Sequence, residues 1–300
     1  MPATSRRINA SPPPSASSSA AAQREGTAAT ETHHGHFNDD ALRNAATTGE
    51  TREAVRARLL AHMPRGYVPW LHLAATTGVA ATLLGLGVVC VHEATWLEWA
   101  VVPAVLIVAN AFEWRVHKDV LHRRRWPWGA IYDQHTPMHH KVYHHTDMAL
   151  RDWRELRLVL IPAVGVVGIV VALAPLALAL GLLWSPNAAW LALVSAGTYM
   201  VSYELLHLAY HLPRTHPVAR FGLVRWLSRH HARHHDPRLM QHWNFNVTLP
   251  LFDWLMGTYW TEARERRRLE RRRLVTPGDG GARATPAANE KPIAASARGA

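Results

Sequence analysis

The sequence predicts an all-α fold: four membrane-spanning helices with histidine-rich segments on one side of the bilayer. Three observations lead there. Four apolar runs are long enough to enter a bilayer, Lys and Arg gather in the segments at one end of those runs, and the histidines are clustered. Of 21 histidines, seven lie between His117 and His145 and eight between His207 and His242. The whole-chain figures, 48% hydrophobic residues and a formal charge of +11, average over very apolar runs and very polar ends. Position along the chain therefore carries more than composition.

Residues 1–50 are Ala, Ser, Thr and Pro with scattered charge and no apolar period, too little hydrophobic surface to offset the entropy of ordering, so a disordered tail is predicted. Arg6 and Arg7 lead into SPPPSASSSAAA rather than an apolar core, which argues against a secretory signal, and His33, His34 and His36 are read as incidental. Residues 51–66 form an amphipathic lead-in with Arg52, Arg56, Arg58 and Arg65. The expected spans are Val68 to Val91, about Trp96 to Phe112, Leu158 to Trp184, and Ala188 to Leu206, judged against the roughly 20 residues a spanning helix needs. The second is short and opens near Glu98; in the third, Pro162 and Pro175 suggest a kink or an interfacial end. Uninterrupted apolar runs of this length rarely fit a soluble core. A basic helix is expected over 263–275, where the text reads ARERRRLERRRL, and a second disordered tail over 276–300.

Charge placement tests the four spans independently. The outer links, HEAT at 92–95 and SPN at 185–187, contain no Lys or Arg, whereas Arg115, Lys118, Arg123, Arg124, Arg125, Lys141, Arg151, Arg154 and Arg157 fall between the second and third spans. By the positive-inside rule the basic segments face the cytoplasm, which puts both termini and every clustered histidine in that compartment. The 263–275 helix is then read as lying against anionic headgroups or as a solvated face, in preference to binding nucleic acid. A single cysteine, Cys90, excludes an internal disulfide, a cysteine-based zinc site and an iron–sulfur cluster.

Histidine spacing is the strongest signal. After the second span, EWRVHKDVLH supplies His117 and His122, and YDQHTPMHHKVYHH supplies His135, His139, His140, His144 and His145. After the fourth, YELLHLAYH supplies His207 and His211, and RHHARHH supplies His230, His231, His234 and His235. Residues i and i+3 or i+4 share a helix face, so His135 with His139, His207 with His211, and His231 with His234 and His235 are expected to aim pairs of imidazoles at one point. His117 and His122 are five apart, about 140° around an ideal helix, and need a helix end, a bulge or two different ions. Ten candidate ligands are too many for one ion with about four, so two ions are the economical reading. Glu113 and Glu204 stand four and three residues before His117 and His207. A carboxylate near the membrane boundary needs a partner; a metal-bound imidazole N–H is one, an ordinary helix-surface ion pair the other.

Four such boxes in order, between the right spans, resemble the fatty acid hydroxylase and sterol desaturase superfamily. NFNVTLPLFDWLMGT, residues 244–258, looks like its closing segment, in which an Asn, here Asn244, follows the last box and a Pro-x-x-Asp stretch ends at Gly-Thr. The resemblance covers about 68–260 and implies a catalytic domain at 67–262, with four membrane helices and a cytoplasmic cap holding a dimetal site. It implies as ligands His117, His122, His135, His139, His140, His207, His211, His231, His234 and His235, with His144 and His145 as alternates for a box that starts at His140, and His230 as a rival to His231. Two iron ions are the implied cofactors, zinc being an equally good match to histidine alone. The chain carries no heme-binding HPGG segment, so the resemblance implies a separate electron-donor protein.

An acyl C–H bond offers no acid or base handle, and reduced metal with oxygen is what attacks it. The expected function is that of a membrane di-iron oxygenase hydroxylating a long-chain lipid, fatty acyl or sterol-like, with the helices around 68–112 and 188–206 forming the substrate channel. The alternatives are a lipid desaturase on the same site, a lipid-binding protein keeping structural zinc, and a membrane metal transporter. The last predicts ionisable residues along a mid-membrane path, of which the spans are nearly bare.

Overall fold

The computed structural model describes residues 51–275, and the elements among them are helical apart from one isolated bridge between His144 and Asp147. The tails expected at 1–50 and 276–300, with His33, His34 and His36, lie outside the described residues.

Helix α1, Arg52–Ala61, starts where Thr51 Oγ1 accepts from Ala54 N at 3.3 Å, and it buries Val55, Arg56 and Leu59. Arg56 reaches the Val142 carbonyl at 3.4 Å and faces the buried Glu155 at 3.7 Å, so the lead-in packs onto the histidine-bearing segment. Helix α2, Pro69–Cys90, begins with proline, whose missing N–H is no loss at a helix start. The next run opens with a single turn, Trp96–Trp99, capped reciprocally by Thr95 and Glu98, and continues as α3, Val101–Val116, into a π-helical turn, His117–Leu121. Helix α4, Gly129–Gln134, leads to a second π-helical turn, His135–His139, and a short turn, His140–Val142. Helix α5 is Ala163–Leu183; Pro162 caps it and Pro175 lies within it. Helix α6, Pro186–Tyr210, is capped by Ser185, whose Oγ accepts from Ala188 N at 3.1 Å. There follow α7, Gly222–His234; α8, Leu251–Leu255; and α9, Glu262–Val275, with short single turns at Trp153–Glu155, Leu156–Val159 and Val218–Arg220 between the longer elements.

Among the described residues, three helical stretches are long and apolar enough to cross a membrane: Pro69–Cys90, Trp96–Leu121 and Trp153–Leu183. The fourth expected span is α6, long enough at 25 residues but carrying Tyr199, Ser202, Tyr203 and Glu204. It packs against α2, α3 and α5 and buries Leu191, Ala192, Ser195, Gly197 and Met200. A helix surrounded by its neighbours has less need of an apolar outer face than one in lipid. Close approach is set by two glycines: a Cβ at Gly87 would collide with Val194 Cγ2, and one at Gly197 would meet Leu83 Cδ1 at 3.0 Å. At the end away from the histidines, His92 and Asn187 exchange bonds of 3.1 and 2.8 Å, and the Ser185 hydroxyl donates to Glu98, so the two helical hairpins are stitched together there.

Candidate metal centre

At the other end, ten imidazoles are buried in two groups. His117, His122, His135, His140 and His234 form one; His139, His207, His211, His231 and His235 form the other; within each, the ligand atoms all lie within 4.8 Å of one another. The groups share a wall, because the rings of His140 and His235 stack at 4.2 Å.

Local helix geometry explains the sorting. A π-helical turn adds a residue to each turn, so positions five apart share a face. That brings together His117 with His122, and His135 with His140. Of the routes open to the five-apart pair, the bulge is the one realised. Two expected pairings are corrected. His135 and His139 fall in different groups, and His234 parts from His231, which keeps His235 four residues on. Successive residues of a helix point about 100° apart, so the dipeptides His139-His140 and His234-His235 each stand between the two centres and send one ring to either side.

The tautomers are set from outside the groups. Nδ1–H donates to a main-chain carbonyl in His117 (Phe245), His139 (Leu158, 3.0 Å), His211 (Met148, 2.8 Å), His234 (Trp243, 3.0 Å) and His235 (Tyr143, 2.6 Å). Each such bond leaves the Nε2 lone pair pointing inward. Nε2 atoms then face one another at 3.0 Å for His117 and His135, 2.8 Å for His122 and His234, 3.1 Å for His135 and His140, 3.3 Å for His139 and His207, and 3.0 Å for His231 and His235. His211 Nε2 is buried with no hydrogen-bond partner. Adjacent ligands of an ion bound at about 2.0–2.1 Å sit roughly 3.0–3.4 Å apart, so the donor set fits a metal in each group. Burial first, and neighbouring imidazoles second, hold His122, His135, His140, His211, His231 and His235 well below the usual histidine range; burial takes His234 down to about 4. Neutral imidazoles at neutral pH are what a cation requires.

The remaining predicted residues lie around these groups. His144 and His145 pair with each other at 4.0 Å between ring centres and belong to neither group. His230 turns to Asp253, with Nε2 3.1 Å from its carboxylate, leaving His231 in the site. Glu113 and Glu204 are buried, yet the expected direct bonds to imidazoles are replaced by bonds to main chain and hydroxyls. Glu113 accepts from Val247 N, from Thr248 N at 3.1 Å, and from the Thr248 and Tyr199 hydroxyls. Glu204 accepts from Ile161 N at 3.0 Å. The reason is competition: each carboxylate meets unpaired N–H groups of a passing strap before it can reach a ring. Asn244, at φ +61°, donates to the His230 carbonyl at 3.0 Å and accepts from Trp260 N at 2.7 Å.

Residues missed by sequence reasoning hold that strap. Asp253 accepts from Phe245 N and Asn246 N at 2.9 and 2.8 Å; Asn110 donates to the Leu249 carbonyl at 2.8 Å and to Thr248 Oγ1 at 3.0 Å. The local signals were the Pro-x-x-Asp stretch that ends at Asp253 and a polar Asn110 inside an apolar span.

The sequence profile of the fatty acid hydroxylase family matches residues 102–258, just over half of the 300-residue chain and inclusive of all ten clustered histidines. No curated protein matches the sequence. A solved structure described as full-length scs7p, with only the hydroxylase domain visible, is similar at 18% identity and a TM-score of 0.41, covering 70% of this chain and 67% of its own. On the strength of the family match, the chain belongs to the fatty acid hydroxylase family, as a membrane oxidoreductase with a paired histidine centre suited to two metal ions.

Proposed function

We propose that the chain is a di-iron oxygenase that hydroxylates a long-chain lipid, fatty acyl or sterol-like, using dioxygen and electrons delivered by a separate protein. The observation that carries this reading is the pair of buried five-histidine groups at the ends of membrane-crossing helices. His117, His122, His135, His140 and His234 hold one iron, and His139, His207, His211, His231 and His235 the other. Bound there, iron supplies the oxygen chemistry that an unactivated C–H bond demands and that side chains lack.

The chain's own residues orient and exclude. Main-chain carbonyls of Phe245, Trp243, Leu158, Met148 and Tyr143 fix five of the rings. Glu113 and Asn244 act one step further out as positioning residues, holding the strap that carries the Phe245 and Trp243 carbonyls; Glu204 does the same for the segment carrying Leu158. Burial of all ten rings keeps water from the centre. The helices over 68–112 and 188–206 border the lipid's path, within a catalytic domain at 67–262. Both termini and the histidine cap face the cytoplasm, and the basic α9 rests on anionic headgroups; nucleic acid is no partner.

The test is metal content and turnover of detergent-purified protein. About two irons per chain are expected, falling to about one in His139→Ala and in His234→Ala, with hydroxylation abolished and lipid binding kept in both. No stoichiometric metal after anaerobic iron loading, or unchanged turnover in the two variants, would overturn the assignment.

A further inference from the structure

We infer that residues 249–256 form a re-entrant element, embedded in the acyl-chain layer of the cytoplasmic leaflet rather than resting in water on the cap. The inference rests on the membrane reading above and is independent of the metal and of the reaction.

The first observation is depth. Arg115 is the first basic residue after the apolar run of α3, and Asn110 lies five residues earlier, about 7 Å further into the membrane at 1.5 Å per residue. Asn110 binds this stretch from both sides: its Nδ2 donates to the Leu249 carbonyl at 2.8 Å, and its Oδ1 accepts from Phe252 N at 3.2 Å. α8 therefore packs against α3 at a level where α3 itself is crossing.

The second observation is backbone bonding. Irregular main chain is tolerated at membrane depth only where protein satisfies its polar groups. Val247 N and Thr248 N donate to Glu113, Asp253 N donates to Asn246 Oδ1 at 3.1 Å, and Leu251 N donates to the Leu249 carbonyl at 2.8 Å. Pro250 has no N–H to satisfy, and its carbonyl accepts from Trp254 N at 3.1 Å. Met256 N closes on the Phe252 carbonyl at 2.9 Å.

The third observation is the face turned outward. Leu249, Trp254, Leu255 and Met256 are 56%, 49%, 66% and 54% exposed. This apolar face continues the outward side of α3, where Val108 and Phe112 are 66% and 64% exposed. Trp254 packs on Trp226 of α7, whose start adds exposed Phe221 and Leu223 beside Arg220 and Arg225. Apolar groups rimmed by arginines match acyl chains under anionic headgroups.

Depth is read directly by a nitroxide on Leu255→Cys in a Cys90→Ser background, with the protein in liposomes containing anionic lipid. Val108→Cys serves as the spanning control and Arg238→Cys, whose native side chain is 81% exposed, as the aqueous one. The label at 255 is expected to match position 108: relaxed by oxygen and shielded from a water-soluble nickel chelate. Nickel access equal to that at position 238 would overturn the inference, as would shielding from both reagents, which marks a protein-covered surface. Nickel access at 108 as well would overturn the membrane reading together with it.

Discussion

Asp253 governs two histidines of the candidate metal centre that it never touches. Its carboxylate takes Phe245 N at 2.9 Å, Asn246 N at 2.8 Å and the Thr258 hydroxyl at 2.7 Å, and so fixes the strap whose Phe245 and Trp243 carbonyls hold His117 and His234. Both of those rings belong to the same group. Asp253→Ala leaves two buried N–H groups unpaired, at about 1–3 kcal/mol each. The expected result is destabilisation of roughly 3 kcal/mol in detergent unfolding and loss of about one of two metals. Normal metal content and an unmoved unfolding midpoint would remove Asp253 from this role. The ten histidines were legible in the sequence because each box is local, a matter of residues three to five apart. Asp253 was visible only as the end of the Pro-x-x-Asp stretch, without its role, and Asn110, Thr248 and Tyr199 were not legible, because their partners stand far off in the chain; Asn110 and Thr248 are 138 residues apart.

Among the elements, the π-helical turn at His117–Leu121 is the clearest case of a spacing that predicted its own irregularity. Histidines five positions apart cannot share a face of a regular α-helix, and the chain answers with one inserted residue per turn. The split of His139-His140 and His234-His235 between centres was illegible for a related reason: periodicity reports which face a residue takes, and says nothing of how many ions wait beyond it. The turn makes a prediction of opposite signs. Deleting Val120 sets the two histidines four apart, a spacing a plain α-helix satisfies, so about two metals are expected to remain. Inserting an alanine after Val120 sets them six apart, which neither helix form brings to one face, and about one metal is expected to be lost. Elemental analysis of both variants decides it; equal metal in the two would mean that the turn does not set ligand direction. Span α6 teaches the complementary limit. Its apolar run was visible, but hydropathy does not distinguish a helix facing lipid from one enclosed by α2, α3 and α5.

For the whole molecule, the histidine groups join what the spans leave separate. The clustered histidines come from the end of α3, from the 135–140 turn, from the end of α6 and from α7, so an ion in either group would tie a helical hairpin to the segments beyond it. In the metal-free protein the same rings are a liability at low pH. Burial lowers the folded-state values of His135, His139, His140, His231 and His235 well below 6.5, and that of His234 to about 4. The unfolded chain, titrating near 6.5, then binds more protons than the folded one, and stability rises with pH wherever that holds. The contribution is complete above about pH 6.5 and drains away as pH falls from there towards the folded values. Chelated protein is therefore expected to show a thermal midpoint that is flat from pH 8 to 7 and drops steeply from pH 6.5 to 5, on the order of the unfolded histidine range. The loaded protein should melt higher than the chelated one at pH 8, because an ion bound only by the folded state adds its binding free energy to stability. It should also hold its midpoint further into acid, since protons must first displace the ion from neutral imidazoles. A chelated midpoint that does not move between pH 7 and 5 would mean that the rings are hydrated in solution, and the closed, dry centre would have to be abandoned with them.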